Sequence, residues 1–303
     1  MSAPPRVFAL ASYMRDLSVV VDRCPAAGET LAGRDALEAP GGKGSNQAIQ
    51  AARCGARVAL LAGVGDDAAG AAARALWAAE GIDAGAVRVI AGEPTGQAMI
   101  LVESGGENRI VIAPGANQGL QAADAERVRA RIASAALVLA TLETPLELTE
   151  AVFAMARAHG VPTLLNTAPA RAALPASLWS LTDIVVANEG EAALLAGDAG
   201  AGPPVCGEPS PGSPSAEALR VAPTGPLALA SALLGRVRLA AVVTLGERGA
   251  LLLQRGQPAL SCLPPAVAVV DSTGAGDAFV GAFACRWAAG DPAAVALRHG
   301  VIA

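Results

Sequence analysis

Aromatic side chains are scarce in this 303-residue chain, at 3%, with a single tyrosine. Few are therefore available to stack on a nucleobase. Histidine is scarcer still, with only His159 and His299, and the five cysteines (Cys24, Cys54, Cys206, Cys262, Cys285) include no Cys-x-x-Cys pair. That composition argues against a His/Cys metal centre, and the thiols are expected to be reduced and mostly packed. Basic runs are missing and the net charge is -5, which argues against nucleic acid as a partner. Long apolar runs are missing too: charge, Gly or Pro breaks each one well short of the roughly 20 residues that span a bilayer. Met1 to Arg6 lacks a basic region followed by an apolar signal core. The expectation is a soluble, cytoplasmic protein with no membrane partner.

What the chain does have is aliphatic: 53% hydrophobic residues, chiefly Ala, Val and Leu, as helices packed on a buried parallel sheet require. Val7 to Leu10 is a short apolar run, and Leu17 to Val21 and Glu29 to Leu37 read as half-exposed strands. Helix is expected from Gln47 to Cys54, strand from Val58 to Leu61 and helix from Ala68 to Glu80. Ala98 to Val102 and Arg109 to Ile112 flank Gly105-Gly106 and read as a hairpin. Alternation then resumes with Leu137 to Ala140, helix Glu147 to His159, Thr163 to Leu165, Ile184 to Val186, helix Glu189 to Leu195, Val242 to Leu245 and Leu251 to Leu253. Such alternation predicts an α/β fold with a doubly wound, mainly parallel sheet, whose ligands sit at the carboxyl ends of the strands. The stretch 197–226, rich in Gly, Pro and Ser, reads as an insertion.

Four segments carry candidate chemistry. Gly274-Ala275-Gly276-Asp277 precedes an apolar helix, so its amides would form an anion site at a helix start, and Asp277 could take a proton from an attacking hydroxyl. The same residues equally suit an Asp cap after a Gly turn. Gly41-Gly42-Lys43-Gly44 presents an ammonium, with Asn46 and Gln47 offering amides for a polyol, or is a Gly-rich turn with a solvated lysine. Asn188-Glu-Gly-Glu191 could organise a hydrated magnesium ion and its phosphates, or cap a helix. Thr244 to Gly249 has the same ambiguity. Neither Gly63-x-Gly65 nor Gly274-x-Gly276 is followed by a glycine three residues on, which removes the dinucleotide-binding pattern. Lys43 is followed by Gly and has no glycine five residues before it, which removes the P-loop.

In order along the chain these segments resemble the PfkB carbohydrate kinases, ribokinase branch. Gly41-Gly-Lys-Gly-Ser-Asn-Gln-Ala48 is similar to the first family signature and Asp271-Ser-Thr-Gly-Ala-Gly-Asp-Ala-Phe279 to the second. Gly65 to Asp67, Thr95-Gly96, Gly115-Ala-Asn117, Leu142 to Pro145, Asn166, Asn188 to Glu191 and Thr244 to Gly249 fall between them. The resemblance implies a single kinase domain, a large sheet with a small lid sheet (about 15–37 and 96–113) that closes over a sugar and often pairs two subunits, so a homodimer through the lid is expected. It implies that Asp16, Gly42, Lys43, Asn46 and Glu143 hold the sugar and that Asn188, Thr244, Gly246, Gly249 and Gly276 serve ATP. Glu191 would act indirectly on magnesium, and Asp271 with Thr273 would hold potassium. Gly274, Ala275 and Gly276 would form the anion hole and Asp277 the base. A carboxylate at a helix start is expected to be a weak base, since the dipole favours its ionised form.

Two departures stand out. Met14 stands where ribokinases usually carry Asn, and a thioether cannot replace a hydrogen bond to a sugar hydroxyl, so 2-deoxyribose is expected over ribose; the alternative is Met14 as plain core. The chain also ends at Ala303, inside a helical pattern from Pro292 and short of where the family continues. Whether truncated or naturally short, the chain is expected to lack much of the adenine pocket and the second loop of the potassium site. Three activities remain: pentose kinase, non-catalytic sugar-binding relative, or PfkB kinase of another sugar or a nucleoside.

Overall fold

The computed structural model describes residues 3–103, 105, 107–197, 225–267, 269 and 272–303. Most of the expected insertion 197–226, and Asp271, lie outside them. Its strands are β1 (Arg6–Leu10), β2 (Met14–Val21), β3 (Ala36–Gly41), β4 (Arg57–Leu61), β5 (Gly63–Gly65), β6 (Arg88–Ile90), β7 (Gln97–Glu103), β8 (Asn108–Ala113), β9 (Leu137–Ala140), β10 (Thr163–Asn166), β11 (Ile184–Asn188), β12 (Ala240–Thr244), β13 (Ala250–Gln254) and β14 (Leu260–Cys262). Its helices are α1 (Lys43–Arg53), α2 (Ala68–Ala79), α3 (Arg129–Ala133), α4 (Leu146–Ala158), α5 (Ala176–Leu181), α6 (Glu189–Gly197), α7 (Pro226–Arg236), α8 (Ala275–Ala288) and α9 (Ala293–Ile302).

Eight strands form one sheet in the order β14-β13-β12-β11-β10-β9-β1-β4. All neighbours from β12 to β4 are parallel, and β13 and β14 are added antiparallel. Successive side chains leave a strand on opposite faces, so both faces of this sheet must be covered. Phe8 and Leu10 of β1 join a core with α4, α5, α6 and α7, while Val7 and Ala9 join a second core with α1, α2, α8 and α9. This two-sided burial explains why the strands read as unbroken apolar runs.

A separate four-stranded sheet, β3-β2-β7-β8, carries a parallel β2–β7 pair between two antiparallel ones. Its third segment corrects the sequence expectation: the strand is Ala36–Gly41, not Glu29 to Leu37, so this sheet draws on residues up to 41 rather than 37. Chain flanking Gly28 instead turns, and β3 pairs with β2 by placing Gly41 opposite Met14. The β7–β8 hairpin is as expected.

Two glycines set the approach of α1. Gly42, its N-cap, has φ of 91°, and a Cβ there would lie 2.7 Å from Tyr13 Cα and 2.8 Å from Ser12 O. Gly281 lets α8 lie against α1: an added Cβ would fall 2.5 Å from Gln47 O and 2.6 Å from Gln50 Cβ. Overpacking of this kind costs about 1–3 kcal/mol. Gly281→Ala is therefore expected to lower Tm by several degrees in thermal unfolding followed by circular dichroism; an unchanged Tm would show that the helices do not meet as closely as described.

Candidate active site

The carboxyl ends of β10, β11 and β12 and the first turns of α1 and α8 converge on a cleft of about 140 Å³. Lys43, Asn188, Glu191, Thr244, Gly274, Gly276 and Asp277 line it, so seven of the residues singled out in the sequence meet in one place. They come from positions as far apart as 43 and 277, and no local feature of the chain requires them to meet.

Asp277 is buried in the first turn of α8. Its Oδ2 accepts from Asn46 Nδ2 at 3.1 Å and its Oδ1 from Gln47 Nε2 at 2.8 Å. The second amide also donates to Asn166 Oδ1, at 2.9 Å. Asn46 and Gln47 thus spend their amide nitrogens on Asp277. Burial pushes the Asp277 carboxyl above its ordinary value, outweighing the Gln47 hydrogen bond, the Lys43 charge and the Asn46 hydrogen bond, which pull it down. Its place at a helix start would lower its proton affinity, whereas desolvation in the cleft wall raises it.

Glu143, after β9, is also buried and accepts on Oε2 from Ser12 Oγ and from the Lys43 amide at 2.8 Å. Burial again raises it, opposed by the Ser12 and Lys43 hydrogen bonds and the Lys43 charge. Asp16 of β2 is pushed up to about 6, first by burial, then by the charge of Glu143, with Lys43 pulling it down and Asp277 adding repulsion. Three carboxyl groups therefore feel one another around a single ammonium. Asp16 Oδ1 is buried with no donor among the described residues, so a ligand hydroxyl would satisfy it. Clustered acceptors of this kind suit a polyol.

At the start of α8, Gly274 and Gly276 are exposed, and an added Cβ at either would meet nothing within 4 Å. With Ala275 between them, this helix start has room for a phosphate group beside its amides. Asn188 and Glu191 form a reciprocal cap: the Asn188 amide donates to Glu191 Oε2 at 3.0 Å and the Glu191 amide to Asn188 Oδ1 at 2.8 Å. The capping reading of this segment is correct, yet both residues also face the cleft. Thr167 Oγ1 donates to the same Glu191 oxygen at 3.3 Å. With its carboxylate so engaged, Glu191 suits a metal held through water and phosphate, and no group of three acidic, His or Cys side chains among the described residues offers direct ligation. Gly246 and Gly249 bracket a single helical turn after β12. Of the potassium pair only Thr273, in the turn before α8, is described.

Met14 is buried, and its thioether receives the Asn117 amide at 3.7 Å. Being two residues before Asp16 on β2, it lies on the same face. Ser12, which fixes Glu143, was not singled out in the sequence; its place just after β1 was the available signal. Gln47 was assigned to the polyol, and its hold on Asp277 spans 230 residues.

A family model for the pfkB carbohydrate kinases matches residues 5–303. The chain belongs to the pfkB family of carbohydrate kinases. It is 35% identical to ribokinase from Mus musculus over 279 residues, covering 92% of this chain and 80% of that one. It is 31% identical to a deoxyribokinase of Salmonella typhi over 297 residues, covering 97% and 89%. The structure of Arabidopsis thaliana ribokinase complexed with ribose and ATP matches with a TM-score of 0.80 at 28% identity, covering 99% of this chain and 91% of that one. The large mixed sheet with a smaller one is thus the ribokinase fold.

The raised Asp16 carboxyl makes stability depend on pH. Its folded value, about 6, exceeds the ordinary 3.8, so the stability carried by the neutral acid is complete below about 3.8 and lost as pH rises through about 6. Without sugar, Asp16→Asn is expected to be more stable than wild type at pH 7.5, by on the order of 1–2 kcal/mol after allowance for solvent screening, with the advantage gone at pH 4. Urea unfolding across this range checks it; equal stability at pH 7.5 would contradict the assigned burial.

Proposed function

We propose that this chain phosphorylates the terminal hydroxyl of a pentose, ribose or 2-deoxyribose, using ATP. The observation that carries the reading is Asp277, held by two amides and raised by burial, beside the glycine helix start in one cleft. The relatives named ribokinase and deoxyribokinase support the sugar class. Asp16, Gly42, Lys43, Asn46 and Glu143 hold the sugar in this reading, the carboxylates accepting its hydroxyl groups. Asn188, Thr244, Gly246, Gly249 and Gly276 receive ATP.

The reaction then follows from the placement. The sugar hydroxyl oxygen attacks the terminal phosphorus, its proton passes to the Asp277 carboxylate, and the bond to the ADP oxygen breaks with its electron pair. Gly274, Ala275 and Gly276 offer helix-start amides to the charge on the transferring group. Magnesium, when bound with the nucleotide, supplies charge neutralisation on the phosphates, with Asn188 and Glu191 beside them. No step runs through potassium, which Asp271 and Thr273 would hold.

The sheet β3-β2-β7-β8 acts as a lid of one kinase domain, excluding water on closure. Its exposed Leu37, Met99, Ile110, Val111 and Ile112 suit a second copy of the chain, making a lid-to-lid homodimer. A cytoplasmic setting fits the free Cys24, Cys54, Cys262 and Cys285, and no helix among the described residues is long and apolar enough to cross a membrane.

Met14 bears on the choice of pentose. A thioether on the Asp16 face packs against a methylene but leaves a hydroxyl without a strong partner, which favours 2-deoxyribose.

Asp277→Asn is expected to lower kcat with ATP, magnesium and potassium by about 10²–10⁴-fold while the fold persists; retained activity would remove Asp277 as the base. In the wild type kcat/KM is expected to be higher for 2-deoxyribose than for ribose, and Met14→Asn to shift that ratio towards ribose by on the order of tenfold. A strong ribose preference in the wild type would overturn the role of Met14.

A further inference from the structure

A second concavity, of about 420 Å³, lies at the opposite end of the large sheet, where β1 and β4 begin. It is larger than the cleft and contains none of the groups described above. Arg6 and Arg57, the first residues of these strands, stand opposite each other in parallel register. Their side chains leave the sheet on the same side, with about 5 Å between strands. Both are exposed, and neither guanidinium has a hydrogen bond or ion pair among the described residues.

A third arginine of the groove behaves differently. Arg131 grips Asp83 through two bonds, 2.9 Å to Oδ2 and 3.2 Å to Oδ1, so the one carboxylate lining the groove is already engaged. Three guanidinium groups against one carboxylate leave this groove positive on a chain of net charge -5. Like charges held in register repel, and a dianion bridging them converts that repulsion into charge-assisted hydrogen bonds. Arginine's planar fork suits a phosphate, and the volume is that of a small-metabolite site.

We propose that Arg6 and Arg57 form a binding site for the phosphate dianion of a small metabolite, remote from the reacting groups. From Arg6 along β1 to Ser12 the separation is roughly 20 Å. The site takes no part in phosphoryl transfer and does not depend on which sugar the cleft accepts.

Backbone amide NMR during titration with inorganic phosphate, and separately with glycerol 3-phosphate, tests this at matched ionic strength against chloride. Signals of Ala56, Val58, Ser134 and Ala135 are expected to move with phosphate and not with chloride. Affinity is expected to fall tenfold or more in the Arg6→Gln/Arg57→Gln double variant and to stay unchanged in Arg74→Gln, which removes an exposed arginine elsewhere. The tighter of the two probes distinguishes free phosphate from a phosphorylated metabolite as the source. Shifts confined to Gly274–Asp277, or groove shifts equal in wild type and double variant, would overturn the proposal. If the double variant is poorly folded, Arg57→Gln alone carries the same comparison.

Discussion

The side-chain amides of Asn46 and Gln47 tie the first turn of α1 to the first turn of α8, and the position of each reactive group follows from that tie. It joins residues about 230 positions apart and fixes Asp277, mostly buried, in the wall of the cleft. Gly281 lets the two helices close to the distance the hydrogen bonds need. Gly42 lets α1 begin against the strand that carries Met14 and Asp16. The same helix start presents Lys43, whose amide holds Glu143 and whose charge opposes the mutual repulsion of the three carboxyl groups. One packed helix pair thus sets both the geometry and the electrostatics of the cleft.

The electrostatics resolve a tension between two rules. A helix start favours an ionised carboxylate, whereas burial favours the neutral acid. At Asp277 burial prevails, because the amides and the lysine offset only part of the lost hydration. A carboxylate so placed accepts a proton more readily than an exposed aspartate. A sugar kinase that deprotonates its acceptor hydroxyl needs that property, and neither the family match nor the fold alone would supply it.

Much of the sheet was legible in the sequence because two-sided burial demands uninterrupted apolar runs: β9 has the expected ends, Leu137 and Ala140. The shift of β3 to Ala36–Gly41 was not legible, since Glu29 to Leu37 has strand composition while its pairing is decided by the register of Gly41 against Met14. Helix α5, six residues long, and β14, three long, are too short to leave a periodic signal. In the site, Lys43 and Asp277 were legible as residues beside glycine turns. Ser12 and the task of Gln47 were not, because each depends on a partner more than 100 residues away. The rise of Asp16 to about 6 was equally hidden, being a property of burial and of neighbours that only the folded chain assembles.

Burial makes Asp277 a stronger base than its place at a helix start would allow. Carboxyl-carbon NMR titration of the ligand-free protein, with the signal assigned by its loss in Asp277→Asn, measures this directly. The midpoint is expected above the ordinary aspartate value of 3.8. A midpoint at or below that value would show that the helix dipole and the amides of Asn46 and Gln47 prevail over desolvation, and would contradict that expectation.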